Sequence, residues 1–107
     1  MAIIDTNKLL RKPVKTNKRC EKMLDKAIKF IEQDSPQQAE IMRIQFFKVM
    51  RLLEIMPGIG SKYKKGMRKF LLGKFPYYVY YKEMANYTKI VGIWHTSRGT
   101  EFEDNED

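Results

Sequence analysis

The hydrophobic positions in the first half of the chain recur at steps of three and four residues, which is the spacing of one face of a helix. One apolar stripe predicts an amphipathic helix over 18–33, and the preceding Asn17 has the side chain of an N-cap. Ser35 and the apolar stripe that follows it predict a second helix over 36–56. Because the break between the two helices is so short, they are expected to form an antiparallel hairpin.

Beyond the second helix the pattern changes to short runs rich in β-branched and aromatic residues. Pro57 and Gly58 end the helical pattern, and strands are predicted over 67–72, 75–82 and 87–96. Turn-compatible segments separate these runs, which predicts an antiparallel meander. A helix hairpin that covers one face of such a meander gives an α+β domain.

The two ends of the chain carry different signals. The 107 residues predict one domain (1–107), in which 1–16 form an irregular segment or an edge strand, because Pro13 lacks the N–H of an interior strand. The acidic tail, 101–107, has five acids and no base, so a solvated and disordered terminus is expected. The alternative is that the tail lies over the basic cluster and competes with an anionic target.

The charge of the chain is strongly positive and unevenly placed. Twenty-one Lys and Arg against 13 Asp and Glu give +8, and without the acidic tail 21 bases face 8 acids, a net charge of +13. Such a body is expected to attract nucleic acid, an acidic protein or a membrane surface. No apolar run approaches the ~20 residues of a membrane span. A single cysteine fits the reducing cytoplasm, so a cytoplasmic protein with no membrane partner is expected.

Basic residues and tyrosines are interleaved between Gly58 and Lys82, a stretch with seven bases, five tyrosines and no acid. Bases neutralise phosphates and aromatic faces stack on unpaired nucleobases, a mixture that suits single-stranded nucleic acid. The alternative is that the tyrosines are ordinary half-buried sheet residues and that the lysines only keep the protein soluble.

The cations of this region predict a surface that binds an anion or the target. Antiparallel strands are expected to bring Arg68 and Arg98 to one end of the sheet, where two guanidiniums clamp a phosphate or a carboxylate. The alternative is two separate surface arginines. The predicted set is Lys62, Lys64, Lys65, Arg68 and Arg98.

Other residues with side chains capable of catalysis or metal binding have simpler interpretations. His95 is a candidate general acid or base, but no carboxylate of the cluster can orient it, and a lone histidine at a strand end is more often structural. Cys20 and Trp94 are expected in the core. One cysteine and one histidine exclude a Cys-based or His-cluster metal site, and no phosphate-binding glycine motif is present, so no metal and no cofactor are expected.

Five short segments, in the right order, resemble the RelE/ParE superfamily of type II toxin–antitoxin toxins. They are Ile28–Pro36, Leu53–Gly60 with its L-x-x-x-P-x-x-G pattern, Gly66–Arg68, Gly73–Lys82 and Ile90–Arg98, which ends in H-x-x-R. The resemblance implies a β-α-α-β-β-β fold with a first strand near Leu9–Thr16. It also implies a small antitoxin as the protein partner.

The resemblance implies two different activities. ParE-like members inhibit DNA gyrase, whereas RelE-like members cut mRNA on the ribosome without a metal, using basic residues and a tyrosine or histidine near the C-terminus. If the protein is a nuclease, the candidate catalytic residues are Arg68, Arg98 and His95. The resemblance also implies that Lys62, Lys64 and Lys65 correspond to the loop lysines of the RelE-like nucleases.

The charge of the body and the residues beyond Arg98 favour different branches. The high positive charge favours the nuclease, because a ribosomal site is mostly RNA. No tyrosine or histidine follows that arginine, and the chain turns acidic, which favours a ParE-like toxin. The ribosome-dependent endoribonuclease is the alternative. A third possibility is a binding module or degenerate toxin that is not toxic and only binds an antitoxin-like partner. The apolar arc left over on the second helix can serve such a partner, a second copy or only the core.

Overall fold

A computed structural model describes residues 11–104 as two helices packed on a five-stranded sheet. Along the sheet the strands follow the order β1-β5-β4-β3-β2, with β1 parallel to β5 and the other neighbours antiparallel. The predicted α+β class and β-α-α-β-β-β order are confirmed, with one added two-residue strand, β2. In chain order the elements are β1 (Val14–Thr16), α1 (Lys18–Glu32), α2 (Pro36–Ile55), β2 (Ser61–Lys62), β3 (Met67–Leu71), β4 (Tyr77–Glu83) and β5 (Thr88–His95).

Both helices begin at the predicted caps. The Asn17 side chain accepts a hydrogen bond from the backbone N–H of Cys20 (2.7 Å), and the Ser35 hydroxyl accepts one from Gln38 (3.2 Å). These bonds satisfy backbone donors that have no partner inside the first helical turn. Each helix ends one residue before its predicted end, because the last turn frays and Pro57 cannot continue α2.

The first strand is shorter than the predicted segment Leu9–Thr16. β1 spans Val14–Thr16 at the edge of the sheet, where Pro13 offers its carbonyl oxygen to the Thr88 N–H (2.7 Å). Proline has no N–H to donate, so it stands just outside the ladder and still pairs through its oxygen. Residues 9 and 10 lie outside the described residues.

The sheet has a separate core on each face. On the helix side, apolar residues of α1 and α2 pack against β4 and β5, and Cys20 is fully buried there, as predicted. On the other side, which we call the open face, a second core is present, and Met23 of α1 packs against it. It consists of Met67, Tyr80, Val91 and Phe102, with Tyr63, Tyr78 and Trp94 packed around it.

Part of the apolar surface of α2 does not enter the helix-side core. Ile44 and Phe47 are 47% and 63% exposed, so the arc noted in the sequence faces away from the sheet. Within residues 11–104, no helix has both the length and the apolar character needed to cross a membrane.

Candidate functional site

The strand register places Arg68 and the approach to Arg98 at opposite ends of the sheet. Arg68 pairs with Tyr81, whereas His95, after which the chain turns to Arg98, pairs with Tyr77. Four residues of β4 separate these positions, about 13 Å at ~3.3 Å per residue. The expectation that the two arginines share one end of the sheet is therefore wrong. In a three-stranded meander, the beginning of the first strand and the end of the third lie at opposite ends.

The side chain of Arg68 is engaged with its own fold. Its guanidinium donates to the carbonyl oxygen of Gly60 (2.8 Å). The Tyr81 hydroxyl accepts from the Gly60 N–H (2.9 Å) and donates to the Pro57 carbonyl oxygen (2.7 Å). A Cβ on Gly60 would lie 2.6 Å from that hydroxyl, so only glycine fits. The P-x-x-G segment thus works as a loop clamped by Arg68 and Tyr81.

Arg98 and His95 lie at the opposite end, beside a cavity of about 340 Å³ between α1 and the sheet. Lys26 and the 65%-exposed Phe30 of α1 line the same cavity. The Arg98 guanidinium lies 4.0 Å from the centre of the Trp94 ring. This end of the molecule therefore combines Arg98 with an exposed aromatic ring, two residue types that are enriched at protein interfaces.

His95 is held in a structural environment. Its Nδ1 accepts the backbone N–H of Ser97 (3.0 Å), which leaves the proton of the neutral ring on Nε2. The Tyr77 ring meets the imidazole edge to face at 5.0 Å, and burial raises the pKa of that tyrosine. Within residues 11–104, no cluster of three His, Cys, Asp or Glu side chains is arranged to hold a metal ion.

Lys64 and Lys65 are on the open face and contact the C-terminal segment, by which we mean residues 99–104. The Lys64 ammonium pairs with Glu101 (2.8 Å) and Glu103, and Lys65 lies 3.7 Å from Glu103. These contacts raise the pKa of Lys64, chiefly through its hydrogen bonds, and lower the pKa of Glu103. Lys82 binds Asp104 at 2.7 Å, whereas Lys62 is exposed at the edge of the sheet.

The aromatic side chain of Phe102 anchors the C-terminal segment. The ring is fully buried against Tyr80 (4.4 Å between centroids) and Trp94 (5.6 Å). It lies over Gly92, where a Cβ would collide with it. The Arg19 guanidinium covers the ring at 4.9 Å. Phe102 therefore fills a slot that exists because Gly92 has no side chain.

Three side chains also donate hydrogen bonds to backbone carbonyl oxygens of the segment. Tyr63 donates to the Phe102 carbonyl oxygen (3.0 Å), Trp94 Nε1 to that of Thr100 (2.9 Å), and Arg19 to that of Glu103 (2.6 Å). The expectation of a disordered tail thus needs correction for residues 101–104, which are bound across the open face. Residues 105–107 lie outside the described residues.

The open face also contains residues that the sequence prediction missed. Arg19, Lys82 and Phe102 were not among the predicted site residues, yet all three hold the C-terminal segment in place. The signal for Phe102 was present, because it is the only large apolar residue in the acidic tail. Arg19 gave no such signal, since α1 is rich in exposed cations.

The comparisons with known proteins agree with this architecture. Two helices packed on a small sheet in the order β-α-α-β-β-β form the fold that the resemblance to the RelE/ParE superfamily implies. The family model described as the ParE toxin of the type II toxin–antitoxin system parDE matches residues 14–99. The chain therefore belongs to the ParE toxin family. No curated protein sequence matches it significantly.

Among solved structures, the fold is similar to a chain of the chromosomal ParDE toxin–antitoxin system from P. aeruginosa. The TM-score is 0.70 at 14% sequence identity, and the match covers 81% of this chain and 98% of the other. At this identity the likeness concerns the fold. Membership in the ParE family makes this protein the toxin component of a type II system, with a cognate antitoxin as its partner.

Proposed function

We propose that this toxin stops growth by inhibiting DNA gyrase and does not cut mRNA. The separation of Arg68 from His95 and Arg98 is the observation that supports this proposal. A metal-independent nuclease needs its acid, its base and its phosphate-binding cations around one scissile phosphate. Here about 13 Å of strand, at ~3.3 Å per residue, separates Arg68 from the row of His95.

The state of the remaining candidate residues supports the same choice. Arg68 donates to the Gly60 carbonyl, and the Nδ1 of His95 is taken by a backbone N–H. Lys64 is paired with carboxylates of its own chain. A protein that acts by binding another protein needs none of these groups free for acid–base chemistry.

The target surface in this proposal is the end of the sheet that carries Arg98. Lys26, Arg98 and the exposed Phe30 surround the cavity there, and an aromatic anchor with cations at its rim is the composition of many protein-binding hot spots. At the other end of the sheet, near Arg68, further candidate contacts with the target are Lys62, Lys64 and Lys65.

Two assays with the purified protein test the proposal. We expect dose-dependent loss of gyrase supercoiling activity and no mRNA cleavage on programmed ribosomes. Arg98→Ala should raise the concentration needed for half inhibition at least about tenfold, the size of a lost hot-spot contact. Lys48→Ala, which removes an exposed cation of α2 that does not line this cavity, is the matched control and should behave as the parent.

Each other outcome counts against the proposal in a definite way. Cleaved mRNA with unaffected gyrase identifies the ribosome-dependent nuclease. Inactivity in both assays, with the protein folded, identifies a binding module or a degenerate toxin.

A further inference from the structure

The C-terminal segment has the properties of a bound peptide ligand. Phe102 fills a slot between Tyr80 and Trp94, and acids on both sides of it pair with Lys64 and Lys82. We propose that this site on the open face recognises an acidic peptide with a central aromatic residue, and that a segment of this chemistry from a partner protein replaces the C-terminal segment. The proposal does not depend on whether gyrase is the target.

The donors of the site favour a peptide over a nucleic acid. Tyr63, Trp94 and Arg19 each donate to a backbone carbonyl oxygen of the segment. Such contacts recognise the main chain of a polypeptide. A partner peptide in the same conformation would offer the same carbonyl oxygens to these donors. The slot above Gly92 holds one phenyl ring completely buried, so it specifies a single aromatic side chain between carboxylates.

The ion pairs of Lys64 with Glu101 and Glu103 are exposed enough to exchange, whereas the Lys82–Asp104 pair is more enclosed, with the Asp104 side chain 10% exposed. The Glu101 side chain is 77% exposed and that of Glu103 is 42% exposed, so water and salt compete for both. Residues 96–98 form a short link between β5 and the segment, and short links give effective concentrations on the order of millimolar. A free peptide therefore competes poorly with the intact chain, whereas a partner that adds contacts elsewhere displaces the segment.

Weakening the segment should therefore open the site to a peptide in solution. The probe is a fluorescently labelled peptide that repeats residues 99–107, Gly-Thr-Glu-Phe-Glu-Asp-Asn-Glu-Asp. Its binding to the full-length protein is followed by fluorescence anisotropy. We expect Phe102→Ala to bind it at least about tenfold more tightly than the parent, since the competing segment has lost its anchor.

Matched variants separate site binding from general attraction. Phe47→Ala removes an exposed phenylalanine of α2 and should bind no better than the parent. Adding Lys64→Ala and Lys82→Ala to Phe102→Ala should abolish the gain. A probe peptide with alanine in place of its phenylalanine should bind weakly to every variant. Raising the salt concentration should weaken binding, because the carboxylates of the probe meet exposed cations.

A second opening variant covers the case in which Phe102→Ala fails to fold by circular dichroism. The triple change Glu101→Gln, Glu103→Gln and Asp104→Asn keeps the aromatic anchor and should also increase binding of the probe. The proposal is overturned if no folded opening variant binds the probe better than the parent, or if the gain survives loss of Lys64 and Lys82. Uptake of a single-stranded oligonucleotide in preference to the peptide overturns it as well, and identifies a nucleic-acid surface.

Discussion

The ring of Phe102 stacks on the ring of Tyr80, with the centroids 4.4 Å apart and the planes inclined by only 14°. One residue of the acidic C-terminus thereby completes the core of the open face. Without it, Tyr80, Val91 and Gly92 would lose the aromatic ring that packs on them. Two helices therefore cover one side of the sheet, and a six-residue segment together with Met23 and Arg19 of α1 covers the core on the other side.

The stability of the domain should depend on this ring. Phe102→Ala removes a fully buried aromatic side chain, and changes of this type cost about 3 kcal/mol or more. Urea unfolding followed by circular dichroism measures the loss. Phe30→Ala, at a 65%-exposed position, should change stability by less than about 0.5 kcal/mol. Equal small effects at the two positions would mean that the segment does not pack on the sheet in solution.

The Tyr81 hydroxyl should contribute more to the free energy of unfolding than a single ordinary hydrogen bond does. Tyr81→Phe leaves the Gly60 N–H and the Pro57 carbonyl without their partner beneath the loop, at an expected cost of about 2 kcal/mol. Tyr78→Phe, three strand rows away on the open face, is the control and should cost much less. The comparison uses the same urea titration. Similar losses for both variants would show that the loop clamp contributes little.

The contact between Lys64 and Glu103 should make stability depend on pH on the acid side. The partner lowers the pKa of Glu103 in the folded state. The stabilisation is therefore fully present above the unfolded value of about 4.3 and is lost as the pH falls through the lower, folded value. Unfolding of the parent and of Glu103→Gln, compared at pH 7 and pH 3, should show a difference that shrinks in acid.

High salt provides the control for that experiment. At about 1 M salt the screening length is ~3 Å, so the difference at pH 7 should narrow there as well. A difference that stays constant across pH and salt would assign the effect of the substitution to packing and not to charge.

The thiol of Cys20 should report the integrity of the fold. Burial first, and the charge of Glu21 second, raise its pKa to about 12. Since the thiolate is the reactive form, modification by a disulfide reagent at pH 8 should be on the order of a hundredfold slower in the native protein than in urea. Equal rates in the two conditions would contradict a buried position for this side chain.

The elements that local physics determines could be predicted from the sequence. The side chains of Asn17 and Ser35 cap their helices as expected, because an N-cap needs only a donor three residues away. The three meander strands also lie where predicted, with ends shifted by one or two residues. β1 was harder, because its pairing with β5 is a long-range, parallel contact that no local pattern encodes.

The errors in the candidate site arose where distant segments meet. The prediction that Arg68 and Arg98 lie at one end of the sheet is wrong because of the topology alone. A three-stranded meander places those two positions at opposite ends. The expectation of a disordered tail is wrong for residues 101–104, because the buried Phe102 anchors them on the sheet. The acids that repel one another in an isolated tail find Lys64, Lys65 and Lys82 once Phe102 is seated. Each pairing depends on the folded sheet, so composition alone does not reveal it.

Controlled expression in growing cells tests the central claim, that this protein is a ParE-type toxin, most directly. Growth is followed after induction of the protein alone and together with the product of the neighbouring gene. We expect arrest in the first case, with the DNA damage response that blocked gyrase provokes, and restored growth in the second. Undiminished growth after induction of the protein alone, with the folded protein present in the cells at the level of the co-expressed culture, would contradict the account.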